Sequence, residues 1–112
     1  MSDSENGFAC KAGADDFSAR AYRSGEGRRS VAVKGVCSCN TEGFRLTLEL
    51  AAPPLVPVPE ELHLNLVETA PTDPVVQVIT ETEVEEATFD IGDEVVRVLI
   101  RNRGFSVPVT EG

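Results

Sequence analysis

From Phe44 to Leu50 the chain reads Phe-Arg-Leu-Thr-Leu-Glu-Leu, a strict alternation of apolar and polar side chains. A strand turns successive side chains to opposite faces, so a period of two marks a strand with one buried face. The pattern recurs along most of the sequence. Phe17, Ala19 and Ala21 alternate with Ser18, Arg20 and Tyr22. From Ser30 to Cys39, residues Val31, Val33, Gly35, Cys37 and Cys39 share one face. Leu62, Leu64 and Leu66 alternate with His63, Asn65 and Val67. Val75 to Glu83 reads as a long strand whose buried face the pattern leaves open. Ala87, Phe89 and Ile91, then Val96, Val98 and Ile100, then Phe105, Val107 and Val109 complete the series. No stretch shows a helical period.

Turn chemistry punctuates these runs. Ser24-Gly25-Glu26-Gly27 breaks the first pair, and Asn40-Thr41-Glu42-Gly43 has the length of a hairpin turn. Gly92-Asp93 is a two-residue hairpin signal that sets Phe89 opposite Val96 and Ala87 opposite Val98. Gly104, after Asn102-Arg103, supplies a positive φ at low cost. Pro53, Pro54, Pro57 and Pro59 exclude a central strand between Ala52 and Glu60. The sum is an all-β chain of about seven short strands, expected as a small Greek-key, immunoglobulin-like β-sandwich. Residues 1–16, rich in Ser, Asp, Gly and Ala, read as a flexible, disordered N-terminal tail, and 17–110 as a single domain.

The charge balance narrows the partners. Ten Lys and Arg against nineteen Asp and Glu give a formal charge of −9. Nucleic-acid binding relies on a basic surface that releases counterions, so no nucleic-acid partner is expected. Anionic membranes are disfavoured on the same ground. No apolar run has the length of a transmembrane helix, and the acidic start lacks the basic, apolar pattern of a signal peptide, so the expected location is cytoplasmic. The odd count of three cysteines argues against a disulfide framework.

Few residues offer chemistry. Cys37 and Cys39 lie two apart on one strand face, and with Cys10 and His63 they make a candidate zinc or copper set. The competing reading is that they are small buried hydrophobes continuing the Val31 and Val33 face. Same-face neighbours on a strand are too far apart for a Cys37–Cys39 disulfide. His63, opposite the leucines of its strand, points away from a core-facing cysteine, which disfavours Cys-His catalysis. The acidic pairs Asp15-Asp16, Glu60-Glu61, Glu85-Glu86 and Asp93-Glu94 face opposite sides when extended, so an acid/base pair needs carboxylates from separate strands. Arg28 and Arg29 read as a solvated pair. The acids Glu81, Glu83, Glu85 and Glu86 are expected across a hairpin from Arg97, Arg101 and Arg103. Pro54-Leu55-Val56-Pro57 matches a P-x-x-P ligand but lacks a basic neighbour to orient it.

Three functions remain, in order. The first is a non-enzymatic interaction or structural module, pairing with another protein or with itself through a strand edge or an outer face of Val56, Val58, Ile79, Val95 and Leu99. It requires no cofactor. The second is a small metal-binding protein using Cys37, Cys39, Cys10 and His63. The third is a carboxylate-based hydrolase, which needs a cleft holding an acid of raised pKa.

Overall fold

The computed structural model describes residues 9–51, 59–73 and 77–111. It contains eight strands: β1 (Cys10–Lys11), β2 (Phe17–Arg23), β3 (Arg29–Cys39), β4 (Arg45–Leu50), β5 (Glu61–Thr69), β6 (Thr80–Ile91), β7 (Arg97–Ile100) and β8 (Phe105–Glu111). One 3-10 turn, Ala14–Asp16, joins β1 to β2. The all-β expectation holds, and no helix is long and apolar enough to cross a membrane.

The strands do not form two facing sheets. They run β3-β2-β8-β7-β5-β4-β6, and β6 returns to β3, closing a seven-stranded barrel. The immunoglobulin-like sandwich is thus replaced by a closed sheet, because β3 is bonded along both edges. β2 pairs with it on one side and β6 on the other, both antiparallel. β1 lies on the same edge of β3 as β2, opposite Ser38 and Cys39. Three neighbour pairs are parallel: β2–β8, β5–β7 and β4–β6. The last is the thinnest seam, a single ladder pair between Leu46 and Val84.

Alternation decides what fills the barrel. Ala19, Val31, Val33, Leu46, Leu64, Leu66, Val98, Ile100 and Val107 are buried, as their faces require. Burying each large aliphatic side chain contributes roughly 1.5–3 kcal/mol. Phe17 and Phe105 add a tilted ring pair, 5.5 Å between centroids. Gly35 stands opposite Phe17 in the β2–β3 ladder, and a Cβ there would lie 2.6 Å from the ring. The ring therefore packs flat over a residue that has no side chain.

Two expected hairpins do not form. Asn40–Gly43 connects β3 to β4, but β6 lies between those strands. Gly92-Asp93 connects β6 to β7, which lie in separate parts of the barrel. Hence Phe89 pairs with Val31, not Val96, and Val96 is exposed while Val95 is buried. The hairpins at residues 24–28 and 101–104 do form, with Gly27 and Gly104 at positive φ. Leu50 ends its strand 61% exposed, past the last core layer.

β6 also merges what reads as two strands. Val33 pairs with Ala87 and Gly35 with Val84, so three residues of β6 span two of β3. This bulge falls at Glu85 and Glu86, both exposed. It reverses the alternation, so Val84 faces inward before it and Ala87, Phe89 and Ile91 after it. Val78 and Ile79 precede the strand and are exposed.

Residues 9–16 of the segment read as a tail are held against the barrel. Cys10 is fully buried and disulfide-bonded to Cys39. This corrects the argument from cysteine number: two of the three thiols pair and Cys37 stays free. Direct ladder pairing of Cys10 with Cys39 across β1 and β3, not same-face spacing along one strand, brings the sulfurs together.

Candidate functional site: an acidic groove over the β6 bulge

An arginine closes each end of the barrel. At one end Arg29, 7% exposed, donates to the carbonyls of Gly92 (2.9 Å), Asp93 (3.3 Å) and Val95 (3.0 Å), and to Glu111. It is not the solvated residue its position beside Arg28 implies; it pins the β6–β7 connection. At the other end Arg103 donates to the Cys10 carbonyl (2.7 Å) and to Glu68 (2.7 Å). Glu68 also accepts from the Ala9 and Cys10 amides, at 3.0 and 2.9 Å. Burying this pair is tolerable because charge-assisted bonds engage both partners.

The proposed metal set is not assembled. Cys10 and Cys39 are joined to each other, and Cys37 is a buried thiol whose pKa burial pushes up to about 11. His63 stands outside the barrel. Arg101 donates to its Nδ1 (3.1 Å), so its Nε2 carries the proton donated to Glu61 (2.9 Å). Among the described residues no three His, Cys, Asp or Glu side chains group as metal ligands. The same separation keeps Cys37 from a histidine base.

Among the described residues, Glu85, Arg97 and Arg103, expected to pair across a β6–β7 hairpin, have other partners. Glu85 instead accepts from Arg45 (2.7 Å), which spans the β4–β6 seam. Arg97 donates to Glu61 (2.7 Å), and Arg103 to Glu68. Three residues of the expected outer apolar face are described. Val95 is buried, Leu99 half-buried and Ile79 71% exposed. Val56 and Val58, like the P-x-x-P segment, lie outside the described residues.

What the fold does bring together is acid. The 3-10 turn, the start of β2, the middle of β3 and the β6 bulge enclose a groove of about 690 Å³. Asp15 and Asp16 stand on one rim and Glu83, Glu85 and Glu86 on the other, with Lys34 between them. Phe17, Gly35, Val36 and Val84 supply apolar floor. A second depression continues from it along β2, sharing Ser18, Lys34 and Glu86 and ending at Arg20 and Tyr22.

Each wall has a local cause. The bulge exposes two consecutive glutamates that regular pleating sends to opposite faces. Gly35 makes room for the Phe17 ring where the turn meets β3. The turn is fixed by Asp16, whose carboxylate accepts the Gly13 amide (2.9 Å). Of the groove acids, Glu85 is held below the ordinary glutamate range, first by its hydrogen bond from Arg45. That is the behaviour of an ion-paired carboxylate, whereas a general acid needs its proton retained.

The groove depends on the bulge, which no local sequence signal marks; a regular period of two sends adjacent acids to opposite faces. Comparison with protein-family models, curated proteins and solved structures finds no match to this chain.

Proposed function

We propose that the protein is a non-enzymatic binding module that takes a basic, extended segment of a partner protein into the groove over the β6 bulge. The observation that carries this reading is the convergence of five carboxylates from two distant chain segments on one concavity with a single lysine. A groove lined by one sign of charge concentrates ligands of the other, and the chain's −9 charge reinforces the steering. The apolar floor and the adjoining Tyr22 depression suit a segment that alternates Lys or Arg with apolar residues. Strand addition, the other route to a partner, is countered at the thinnest seam, β4–β6, by the Arg45–Glu85 pair that bridges it.

The Cys10–Cys39 bond bears on location. Disulfides persist where thiols are oxidised, so the cysteine count gives no support to a cytoplasmic protein.

The test is an NMR titration with a soluble Lys-Val alternating peptide, with a Glu-Val peptide as control. Amide shifts are expected at residues 15–18, 34–36 and 83–86, weakening as salt is raised. Glu83→Lys with Glu86→Lys is expected to abolish them. Shifts confined to other surfaces, or equal response to the acidic peptide, sink the reading.

A further inference from the structure

The groove's first rim is tethered by a disulfide. Asp15 and Asp16 belong to a short segment held between two anchors. One is the Phe17 to Gly35 pairing at the start of β2. The other is β1, two residues long, whose Cys10 is bonded to Cys39. Resting on the groove reading above, we propose that the Cys10–Cys39 bond is a redox latch: its reduction frees residues 9–16 from β3 and withdraws Asp15 and Asp16 from the groove, weakening capture of a basic segment.

The geometry supports the release. Only two ladder positions, Cys10 to Cys39 and Lys11 to Ser38, attach β1 to the barrel. Beyond them the segment is held by Ala12, half-buried against the core, and by polar bonds. The Ala9 and Cys10 amides donate to Glu68, Arg103 donates to the Cys10 carbonyl, and the Asn40 amide donates to the Ala9 carbonyl (3.2 Å). Cys10 is the segment's one fully buried side chain. A two-residue strand at an edge is the kind of element that opens locally without global unfolding.

The chemistry balances with a dithiol as reductant. One of its thiolates attacks a sulfur of the Cys10–Cys39 bond, giving a mixed disulfide and one free cysteine. Its second thiol closes on the first and expels the other cysteine. The dithiol becomes a disulfide, and Cys10 and Cys39 gain two electrons and two protons. Both sulfurs are buried, so the segment opens before it is attacked, and opening and reduction reinforce each other. Cys37, on the same face of β3 as Cys39, keeps its proton through burial and so stays out of exchange with the bond while the latch is shut.

The experiment uses the full chain, oxidised and after dithiothreitol treatment. Amide hydrogen exchange at residues 10–16 and affinity for the Lys-Val peptide are read on the same samples. Exchange at residues 10–16 is expected to rise at least about tenfold on reduction, with the core amides of β5 and β7 unchanged. Peptide affinity is expected to fall roughly threefold to tenfold, as two surface carboxylates are lost. The double variant Asp15→Asn with Asp16→Asn keeps the disulfide; it is expected to bind as weakly as the reduced protein and to lose the redox response. Unchanged exchange on reduction overturns the latch. Raised exchange with unchanged affinity overturns its control of the groove. Failure of the oxidised protein to bind the peptide at all overturns the groove reading itself, and this proposal with it.

Discussion

Replacing Arg29 with methionine keeps the aliphatic stem and removes the guanidinium. Four acceptors lose their donor: the carbonyls of Gly92, Asp93 and Val95, and the Glu111 carboxylate. They do not lose equally. Glu111 is 70% exposed on its side chain and rehydrates, so its share is that of a surface ion pair, about 0–1 kcal/mol. The carbonyls of Gly92 and Asp93 lie in an exposed connection and also regain water. The bond to Val95 is buried, and a buried acceptor left unmet costs about 1–3 kcal/mol. The total is about 1–4 kcal/mol. For a domain of this size that lowers Tm by about 5–20 °C. Urea unfolding followed by circular dichroism measures it directly, as a lower midpoint with an unchanged slope. Because three of the four acceptors are neutral, the loss is expected to persist in high salt. Glu111→Gln, the control, is expected to cost under about 1 kcal/mol. If Arg29→Met unfolds within about 0.5 kcal/mol of the parent, or Glu111→Gln costs as much, then Arg29 does not pin the barrel end and the reasoning fails.

Other perturbations read other parts of the molecule. Gly35→Ala drives a methyl group into the Phe17 ring and is expected to cost about 1–3 kcal/mol in urea unfolding, with Phe17→Leu relieving part of it. Glu61 is held below the ordinary glutamate range by hydrogen bonds from Arg97 and then His63. Its stabilising contribution is therefore complete above that range and fades as pH falls through the lowered midpoint; Arg97→Met is expected to move the Glu61 titration, followed by carboxyl NMR, up towards the ordinary value. Cys37 carries the opposite sign of effect. Its folded pKa of about 11 exceeds the ordinary thiol value of 9.0, so stability is expected to decline as pH rises from 9.0 towards 11. A thiol reagent at neutral pH is expected to label one cysteine per chain, and only after unfolding; rapid labelling of the native protein contradicts the buried assignment.

Where the chain alternates cleanly, its local structure could be read directly. β2, β3, β5 and β8 match their alternating runs to within a residue or two, and the faces of Leu64, Leu66, Val98 and Ile100 are as their neighbours require. Strand order was not readable. Asn40–Gly43 and Gly92-Asp93 have the chemistry of tight turns, yet each hands the chain to a non-adjacent strand, because pairing is settled by β3 and β6 meeting far apart in sequence. The acidic groove was hidden for a related reason. A single extra residue at Glu85 and Glu86 shifts the period, and the sequence carries no mark of it. Arg29 was hidden because a buried arginine breaks no apolar pattern; its partners are backbone carbonyls, which every sequence possesses. The disulfide was hidden because Cys10 stands in a segment with no period of its own.

The parallel pairing of β2 with β8 has a mechanical consequence. β8 runs alongside β2, so its last residue, Glu111, sits at the Arg29 end of the barrel while Cys10 sits at the other. Tension applied to residues 9 and 111 therefore stretches the barrel along its strands. The sulfur bridge carries the load past β2 directly into β3, at Cys39. From there it reaches β8 through the seven rungs of β2–β3 and the three of β2–β8, all loaded in shear at once. Shear strains every rung together, whereas peeling breaks them one at a time. Forced extension along this axis is thus resisted by the whole ladder, and the rate of yielding is that of the barrel's own unfolding.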